Sequence, residues 1–451
     1  MKERCYEFTS YGPRHRGADW IAISERDFRE RETRVDLLTR LVSTAPLWSS
    51  DLLRIARAVF LVDKRFLRSE TADRWTRVIR LSVQLNEPET WTPSVLETLN
   101  TVLAQLTGDH WSVEVHPGAT AQTLLDDEPV GEVALFSGGL DSTAYAAHAV
   151  RNATTPLLLI SFDDGLQSRQ QEIRRYVEQI SRRPVTSQQL AQTVQSEPGE
   201  DLEPSSRSRG FLYLAAAVCS AASHRLERVS LPENGQLAVN PPLTPGRLGA
   251  LSTRSAHPNT IALLNQVIRG VGGTVRVTNP LLDRTKGEVC ALALESGLTA
   301  AALGRTISCG NPRRTKMKAD FNCGYCYPCL LRRAGLLQAL GEDPTEYQHN
   351  VADLPIDDRK ARDLTALAQW LNNPFGLRDV VADSPYPDEV PPPAVLPVLL
   401  RGRTEFSAML TRVLPADHPL RTASAGLFEG DGAATQAAAS RESVGHHGGV
   451  A

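Results

Sequence analysis

The apolar positions near the N-terminus follow helix spacing and strand spacing in turn. Helix spacing predicts a helix over 51–67 and an amphipathic helix over 95–108, which ends at a glycine as helices often do. Strand spacing predicts strands over 77–85 and 110–116. We therefore predict an accessory α+β domain over residues 1–130.

A different pattern begins at Val133, where short continuous apolar runs alternate with amphipathic stretches. The pattern predicts strands over 133–136, 156–162 and 228–231 and helices over 141–153, 168–183 and 210–226. Continuous apolar runs are typical of strands buried on both faces of a parallel sheet. We therefore predict a doubly wound α/β domain with a parallel sheet over residues 131–350.

Proline and aspartate become frequent from Val351 onward, which indicates a C-terminal extension over 351–422. The stretch over 423–451 is small and polar and cannot bury much apolar surface. We expect this last stretch to be a disordered tail.

Charge and hydropathy exclude some function classes. The chain has 451 residues and a net charge of −3, with 49 basic against 52 acidic residues, so it lacks the basic excess of most nucleic-acid binders. No apolar run is long enough to span a bilayer, and the N-terminus has no apolar segment typical of a signal peptide. The sequence therefore predicts a cytoplasmic protein, without a membrane partner and with nucleic acid disfavoured.

A glycine-containing loop follows the first buried strand and leads into a helix. It consists of Phe136, Ser137, Gly138, Gly139, Leu140, Asp141, Ser142 and Thr143. Adjacent glycines let the backbone approach an anion, and the N–H groups at a helix start point towards it. Asp141 is suited to a Mg²⁺ ion that bridges phosphates. The loop lacks the Gly-Lys-Ser/Thr ending of a Walker A motif, so it predicts a phosphate site of another type.

Four of the seven cysteines lie close together, at Cys309, Cys323, Cys326 and Cys329. Four thiolates satisfy tetrahedral Zn²⁺, and a closed four-sulfur site is structural rather than catalytic. An iron–sulfur cluster is the alternative, because a C-x2-C-x2-C run also occurs in ferredoxins. We favour a zinc knuckle, since aromatic and glycine residues separate the ligands and a helix follows them.

The loop sequence SGGLDS resembles the pyrophosphate loop of the N-type ATP pyrophosphatases, which adenylate a substrate oxygen and release pyrophosphate. Together with the C-terminal cysteines it resembles the 7-cyano-7-deazaguanine synthase family. Phe162 to Gln167, Asn279-Pro280-Leu281 and Thr285-Lys286-Gly287-Glu288 resemble further stretches of that family. The resemblance covers about 131–345 and includes no part of 1–130.

The resemblance implies an adenine nucleotide alpha hydrolase-like fold that binds ATP with Mg²⁺. It implies that Ser137, Asp141 and Lys286 are catalytic, and that the loop 136–143, Phe162, Arg209 and Lys286 bind the nucleotide. Lys286 is one of only six lysines in the chain. The family substrate is 7-carboxy-7-deazaguanine, which is converted with ammonia to an amide and then to a nitrile.

The predicted substrate side departs from the family pattern. The arginine-containing motif ahead of the helix at 210–226 is only loosely matched by SRSRG, and the loop over 240–259 differs from the acidic family segment. Candidate substrate residues on this side are Asp163, Glu233, Asn234, Arg247, Arg254 and His257. Carboxylates and amides read a guanine-like edge, and an arginine clamps a carboxylate. A surface loop with satisfied polar groups is the alternative.

The layout, with an extra N-terminal domain and a C-terminal extension, resembles the longer QueC-like subunits of bacterial anti-phage systems such as Qat. That resemblance implies protein partners from a defence operon, and the altered loop leaves open a different amine, such as one on a partner protein. Two alternatives stay open. One is a tRNA-modifying ATP pyrophosphatase, for which RRTKMK over 313–318 would be a local basic patch. The other is a non-catalytic, nucleotide-binding subunit.

Overall fold

The computed structural model describes residues 3–9, 16–28, 45–119, 129–152, 155–162, 166–190, 193–196, 199–244, 254–310 and 321–422. The predicted tail over 423–451, the basic patch over 313–318, Asp163 and Arg247 lie outside the described residues. Among the described residues, no helix is both long and apolar enough to cross a membrane.

The N-terminal part forms a four-stranded sheet. Its elements are β1 (Glu3–Thr9), β2 (Trp20–Ser24), α1 (Leu47–Arg65), β3 (Val78–Leu85), α2 (Pro93–Thr107) and β4 (His110–Pro117). The strand order is β2-β1-β3-β4, and every pairing is parallel. The predicted α+β arrangement is therefore wrong for this sheet. Parallel neighbours need long crossovers, and α1 and α2 provide two of them.

The second sheet has five parallel strands, as the predicted doubly wound domain requires. They are β5 (Glu132–Leu135), β6 (Leu157–Phe162), β7 (Val185–Leu190), β8 (Arg228–Ser230) and β9 (Arg276–Thr278). Their order is β7-β6-β5-β8-β9, so the chain moves outward from β5 to β7 and then returns to the other side of β5. The order reverses between β5 and β8, and open α/β sheets bind ligands at such a point.

Eight helices belong to the described part of the domain with the second sheet, and four form the described C-terminal extension. Those of the second sheet are α3 (Leu140–Asn152), α4 (Gln167–Ile180), α5 (Arg209–Ser223), α6 (Gly235–Val239), α7 (Pro258–Gly270), α8 (Lys286–Glu295), α9 (Ala300–Arg305) and α10 (Tyr327–Leu340). Those of the extension are α11 (Arg362–Asn372), α12 (Leu377–Val381), α13 (Pro392–Val413) and α14 (Pro419–Thr422). The predicted helices 51–67, 95–108, 141–153, 168–183 and 210–226 are confirmed to within a few residues at each end.

One hydrophobic core joins the two sheets. α1 packs on α5 and α2 packs on α7, and buried residues form a continuous cluster from Phe8 in β1 to Val277 in β9. The approach of α2 to α7 is close, because a Cβ at Gly270 would lie 2.5 Å from Val95 Cγ2. The N-terminal unit is therefore packed directly on the helices that cover the second sheet.

Candidate functional site

The loop between β5 and α3 is held in an unusual backbone shape. Gly138 has a φ of +75°, which favours glycine, and a Cβ there would also press on Gln170 at 3.2 Å. The N–H groups of Ser137 and Gly139 each donate to a serine hydroxyl at 3.2 Å, and that of Leu140 donates to Ser308 Oγ at 3.5 Å. These are long hydrogen bonds, so an anion that binds at this helix start can replace them at little cost.

A buried ion pair lies beside the loop. Lys286 Nζ, at the start of α8, donates to both carboxylate oxygens of Asp141, at 2.8 and 2.7 Å. Asn234 Nδ2 donates to the same carboxylate at 2.9 Å. Both side chains of the ion pair are less than a tenth exposed. Burial alone would raise the pKa of Asp141, but the Lys286 ammonium and the hydrogen-bond donors around it hold that pKa below its ordinary value.

Glu233 completes this cluster, and its Oε1 accepts from Asn234 Nδ2 at 3.4 Å. Burial, followed by the negative charge of Asp141 and a hydrogen bond to it, raises the pKa of Glu233 well above 4.5. Of the two carboxyl groups, burial and the neighbouring charge therefore favour a proton on Glu233 and the charged form of Asp141. The cluster brings one lysine and two carboxyl groups together at the cavity.

These groups face a cavity of about 540 Å³ at the point where the strand order reverses. Its lining is Ser137, Gly139, Leu140, Asp141, Ser142, Leu166, Gln170, Pro204, Ser206, Arg209, Pro232, Glu233, Leu237, Lys286, Ile307, Ser308, Cys309, Gly310 and Pro328. The volume is that of a site for a small molecule of nucleotide size or more. The lining residues follow the ends of β5, β6 and β8, or belong to the segment before α5, to the segment after α9 and to nearby helices.

The four predicted metal ligands lie together at one side of this cavity. The sulfur atoms of Cys309, Cys323, Cys326 and Cys329 all lie within 4.8 Å of one another, and two of the separations are 3.9 and 3.8 Å. Tetrahedral zinc at about 2.3 Å from each sulfur requires sulfur separations of about 3.8 Å, so the cluster could bind zinc. Gly324 makes the turn within the cluster, with a φ of +89°.

The cysteine cluster and the phosphate loop are in direct contact through the residues before Cys309. The Ile307 N–H donates to Gly138 O at 3.2 Å, and Ser308 Oγ accepts from the Leu140 N–H. Arg332, fully buried on α10, donates to Ser308 Oγ at 3.4 Å and to Leu303 O at 2.7 Å. The cysteine cluster is therefore joined directly to the segment that lies against the phosphate loop.

The predicted nucleotide residues separate into two groups. Ser137, Gly139, Leu140, Asp141, Ser142, Arg209 and Lys286 line the cavity, whereas Phe136, Gly138, Thr143 and Phe162 do not. Phe136 and Thr143 are buried, and the Phe162 ring stacks on Tyr213 with centroids 3.6 Å apart. These residues shape the loop and the strand end behind it.

The predicted substrate residues are also divided. Glu233 lines the cavity, and Asn234 contacts Asp141 behind it. Arg254 instead pairs with Asp383 of the extension at 2.5 Å, and His257 caps α7 through a contact of 3.2 Å to the Asn259 N–H. Burial, followed by the charge of Arg254, lowers the pKa of His257 to about 4. The structure thus places Arg254 and His257 outside the cavity lining.

Several residues that position the site carried no recognisable motif in the sequence. Gln170 on α4 donates to the carbonyls of Ser137 and Phe162, at 3.3 and 3.1 Å. Gln236 accepts from the Lys286 N–H at 2.8 Å. A Cβ at Gly335 on α10 would lie 2.8 Å from the Lys286 carbonyl carbon. Gly335 belongs to the stretch after the cysteines, and an isolated helical glycine is the one signal that points to such a close approach.

Comparison with known proteins gives consistent matches. A family model described as "Queuosine biosynthesis protein QueC" matches residues 255–340. A 7-cyano-7-deazaguanine synthase of Methanothrix thermoacetophila is 26% identical over 242 residues, which are 48% of this chain and 98% of that protein. The synthase of Pyrococcus furiosus is 24% identical over 242 residues, 48% of this chain and 95% of that protein. That of Syntrophobacter fumaroxidans is 37% identical over 73 residues, 16% of this chain and 28% of that protein.

The long matches span nearly the whole of those relatives but only about half of this chain. The fold with its sheet order, the cysteine cluster and these matches agree with one another. The chain therefore contains a QueC-like region and is similar, over about half of its length, to 7-cyano-7-deazaguanine synthases.

Proposed function

We propose that this protein uses ATP to adenylate a carboxylate on a deazaguanine-type substrate such as 7-carboxy-7-deazaguanine. The acyl group then passes to an amine, which gives an amide, or a nitrile with a second ATP. The observation that carries the proposal is the buried Asp141–Lys286 pair, which opens onto a cavity beside a helix start. A fixed cation and helix-start N–H groups together suit the phosphates of a nucleotide.

The chemistry assigned to these groups is acyl activation. A substrate carboxylate oxygen attacks the α-phosphorus, the bond to the bridging oxygen of the β-phosphate breaks, and pyrophosphate leaves. Lys286 and the N–H groups of the loop stabilise the charge on the departing pyrophosphate. An amine then attacks the acyl carbon, AMP leaves with the electron pair of the C–O bond, and the amine loses a proton.

Asp141 offers the hard carboxylate oxygens that Mg²⁺ prefers, and it lies beside the proposed phosphate site. Mg²⁺ held there would neutralise phosphate charge. Both oxygens of Asp141 accept from Lys286, so Asp141 would have to exchange at least one of these contacts to hold Mg²⁺.

The amine is ammonia or an amine of a partner protein, and we place the reaction in a bacterial anti-phage defence system. The support is the layout, in which about half of the chain lies outside the match to the long relatives and the QueC model matches only residues 255–340. A tRNA-modifying role requires a redox-active cysteine near the ATP. Cys309 lines the cavity, but it belongs to the four-sulfur cluster, so this role is disfavoured.

The test is release of pyrophosphate from ATP with 7-carboxy-7-deazaguanine and an ammonium salt. Asp141→Ala and Lys286→Ala should each lower the rate by at least about 100-fold, because each removes a charge beside the reacting phosphates. Arg174→Gln is the matched control, since it removes a cation from a surface pair on α4 and should leave the rate unchanged.

ATP binding without pyrophosphate release, over a panel of carboxylates and amines, would instead favour the nucleotide-binding alternative. The partner amine is tested by intact mass measurement of proteins co-expressed with this chain. A covalent addition of deazaguanine size that depends on Lys286 is the expected result.

A further inference from the structure

One wall of the cavity is formed by the segment that leads into α5. Pro204, Ser206 and Arg209 of this segment line the cavity. The phosphate loop belongs to a different element, between β5 and α3. The wall contacts the N-terminal unit, which has no counterpart in the resemblance described above.

Lys64 and Arg68, at and beyond the end of α1, bind the start of this wall. Lys64 Nζ donates to the carbonyls of Glu203 and Ser205, the second at 3.0 Å. The Glu203 N–H donates back to Lys64 O at 2.8 Å, and the Arg68 N–H donates to Glu203 Oε2 at 3.0 Å. Glu203 is only 5% exposed, so these contacts are shielded from water.

Asp63 binds the end of the wall, where α5 begins. Its Oδ2 accepts from the Ser208 N–H and hydroxyl, at 2.9 and 2.8 Å. Asp63 is fully buried, and Arg77 holds its other oxygen at 2.6 Å while also pairing with Asp109. Burial alone would raise the pKa of Asp63, but Arg77 holds it below the ordinary value, so Asp63 is a charged cap for a helix distant in sequence.

Further contacts attach the chain on both sides of these points. Gln195 N–H donates to Asp27 O at 2.7 Å, and Arg65 donates to Gln195 O at 3.2 Å. Arg207 donates to Thr107 O at 2.9 Å at the end of α2. The described part of the segment from 194 to 208 therefore follows the N-terminal unit along its length.

We infer that the N-terminal unit supports this wall of the cavity, and that Lys64 is a positioning residue for the second substrate through Pro204 and Ser206, the part of the wall that holds no predicted nucleotide residue. Lys64 contacts the wall at the Glu203 and Ser205 carbonyls, so its effect on the site passes through the wall. The inference deepens the proposed function and rests on it only for the kinetic consequence.

The experiment compares Lys64→Met with Arg80→Gln. Each variant removes one cation from the N-terminal unit, and Arg80 pairs with Glu114 away from the wall. Backbone amide exchange over 199–209 is measured with the full chain in the absence of substrate. In Lys64→Met we expect the exchange rate over 199–209 to rise by about tenfold or more, because hydrogen bonds to a charged group are lost. The exchange rate over 132–143 should not change, and Arg80→Gln should show no change in either segment.

The kinetic arm measures the KM of the carboxylate substrate and the dissociation constant of ATP. In Lys64→Met the KM should rise about tenfold, while kcat and ATP affinity change less than about threefold. Lys64→Arg, which keeps a cationic donor, should recover most of the loss.

Unchanged exchange over 199–209 in Lys64→Met would overturn the inference. An equal rise in the dissociation constant of ATP and in the KM of the carboxylate, together with a lower Tm, would also overturn it. If exchange responds as expected but the wild-type protein turns no carboxylate over, the support of the wall stands and the proposed function fails.

Discussion

Replacement of Gly335 by alanine tests whether α10 sets the position of Lys286. A Cβ at this position would lie 2.8 Å from the Lys286 carbonyl carbon and 2.9 Å from its Cβ. Ordinary carbon contacts are about 3.5–4.0 Å, so α8 and α10 would have to separate by roughly 1 Å. The carbonyl carbon is part of the α8 backbone and cannot rotate away as a side chain could.

Two opposing free energies decide the result. Alanine is favoured over glycine inside a helix by about 1 kcal/mol. Overpacking costs about 1–3 kcal/mol, and contact with backbone places this site at the upper end of that range. We therefore expect a net loss of about 2 kcal/mol in the free energy of unfolding, together with weaker ATP binding, because Lys286 moves away from Asp141.

The assay is urea denaturation at equilibrium, with ATP affinity measured by calorimetry. Gly376→Ala is the control, since a Cβ there would meet nothing within 4 Å, and its unfolding free energy should change by less than about 1 kcal/mol. A Gly335→Ala protein that is as stable as the wild type, with unchanged ATP affinity, would show that the contact with α10 does not position the lysine.

Three further predictions concern the rest of the site. In the folded protein the pKa of His257 is lowered from 6.5 to about 4. As the pH falls, the unfolded chain therefore takes up a proton at this histidine before the folded protein does. The stability that neutral His257 contributes above pH 6.5 is lost between pH 6.5 and pH 4. His257→Asn should lack this loss, so the free energies of unfolding of the two proteins should diverge by about 3 kcal/mol over this pH range in urea denaturation. Parallel plots of unfolding free energy against pH would contradict the prediction. Cys326→Ser should lose about one zinc per chain by elemental analysis. It should also bind ATP about tenfold more weakly, because Ile307 and Ser308 lie between the cysteine cluster and the phosphate loop. Full ATP affinity without metal would show that the two sites are independent. Glu405, on α13, accepts from the Gly287 N–H at 3.1 Å and from the Thr285 hydroxyl. Glu405→Ala should therefore lower the free energy of unfolding by about 2 kcal/mol. Glu405→Gln keeps an acceptor oxygen and should lower it by less than half as much. Equal losses in the two variants would rule out the hydrogen bonds as the cause.

Features that depend on neighbouring residues could be predicted from the sequence. Helices and buried strands have distinct periods, so α1, α2, α3 and three strands of the second sheet, β5, β6 and β8, were predicted to within a few residues. The phosphate loop and the cysteine cluster are also local, since their residues lie within short stretches. Weakly patterned strands were missed, including β7, whose sequence VTSQQL alternates little in hydropathy.

The partners of those local features were set by tertiary structure. Sequence order alone did not show that the N-terminal sheet is parallel, because strand direction depends on which strands pair. His257 and Arg254 have side chains suited to a substrate, but packing against the C-terminal extension directs them elsewhere.

The sequence by itself therefore determined which chemical groups this protein has and the local backbone that presents them. Only the tertiary structure decided that Lys286 meets Asp141 from 145 residues away, and that Asp63 caps α5 at the same separation. The physical reason is that such contacts depend on burial and packing between distant elements, which no local pattern records.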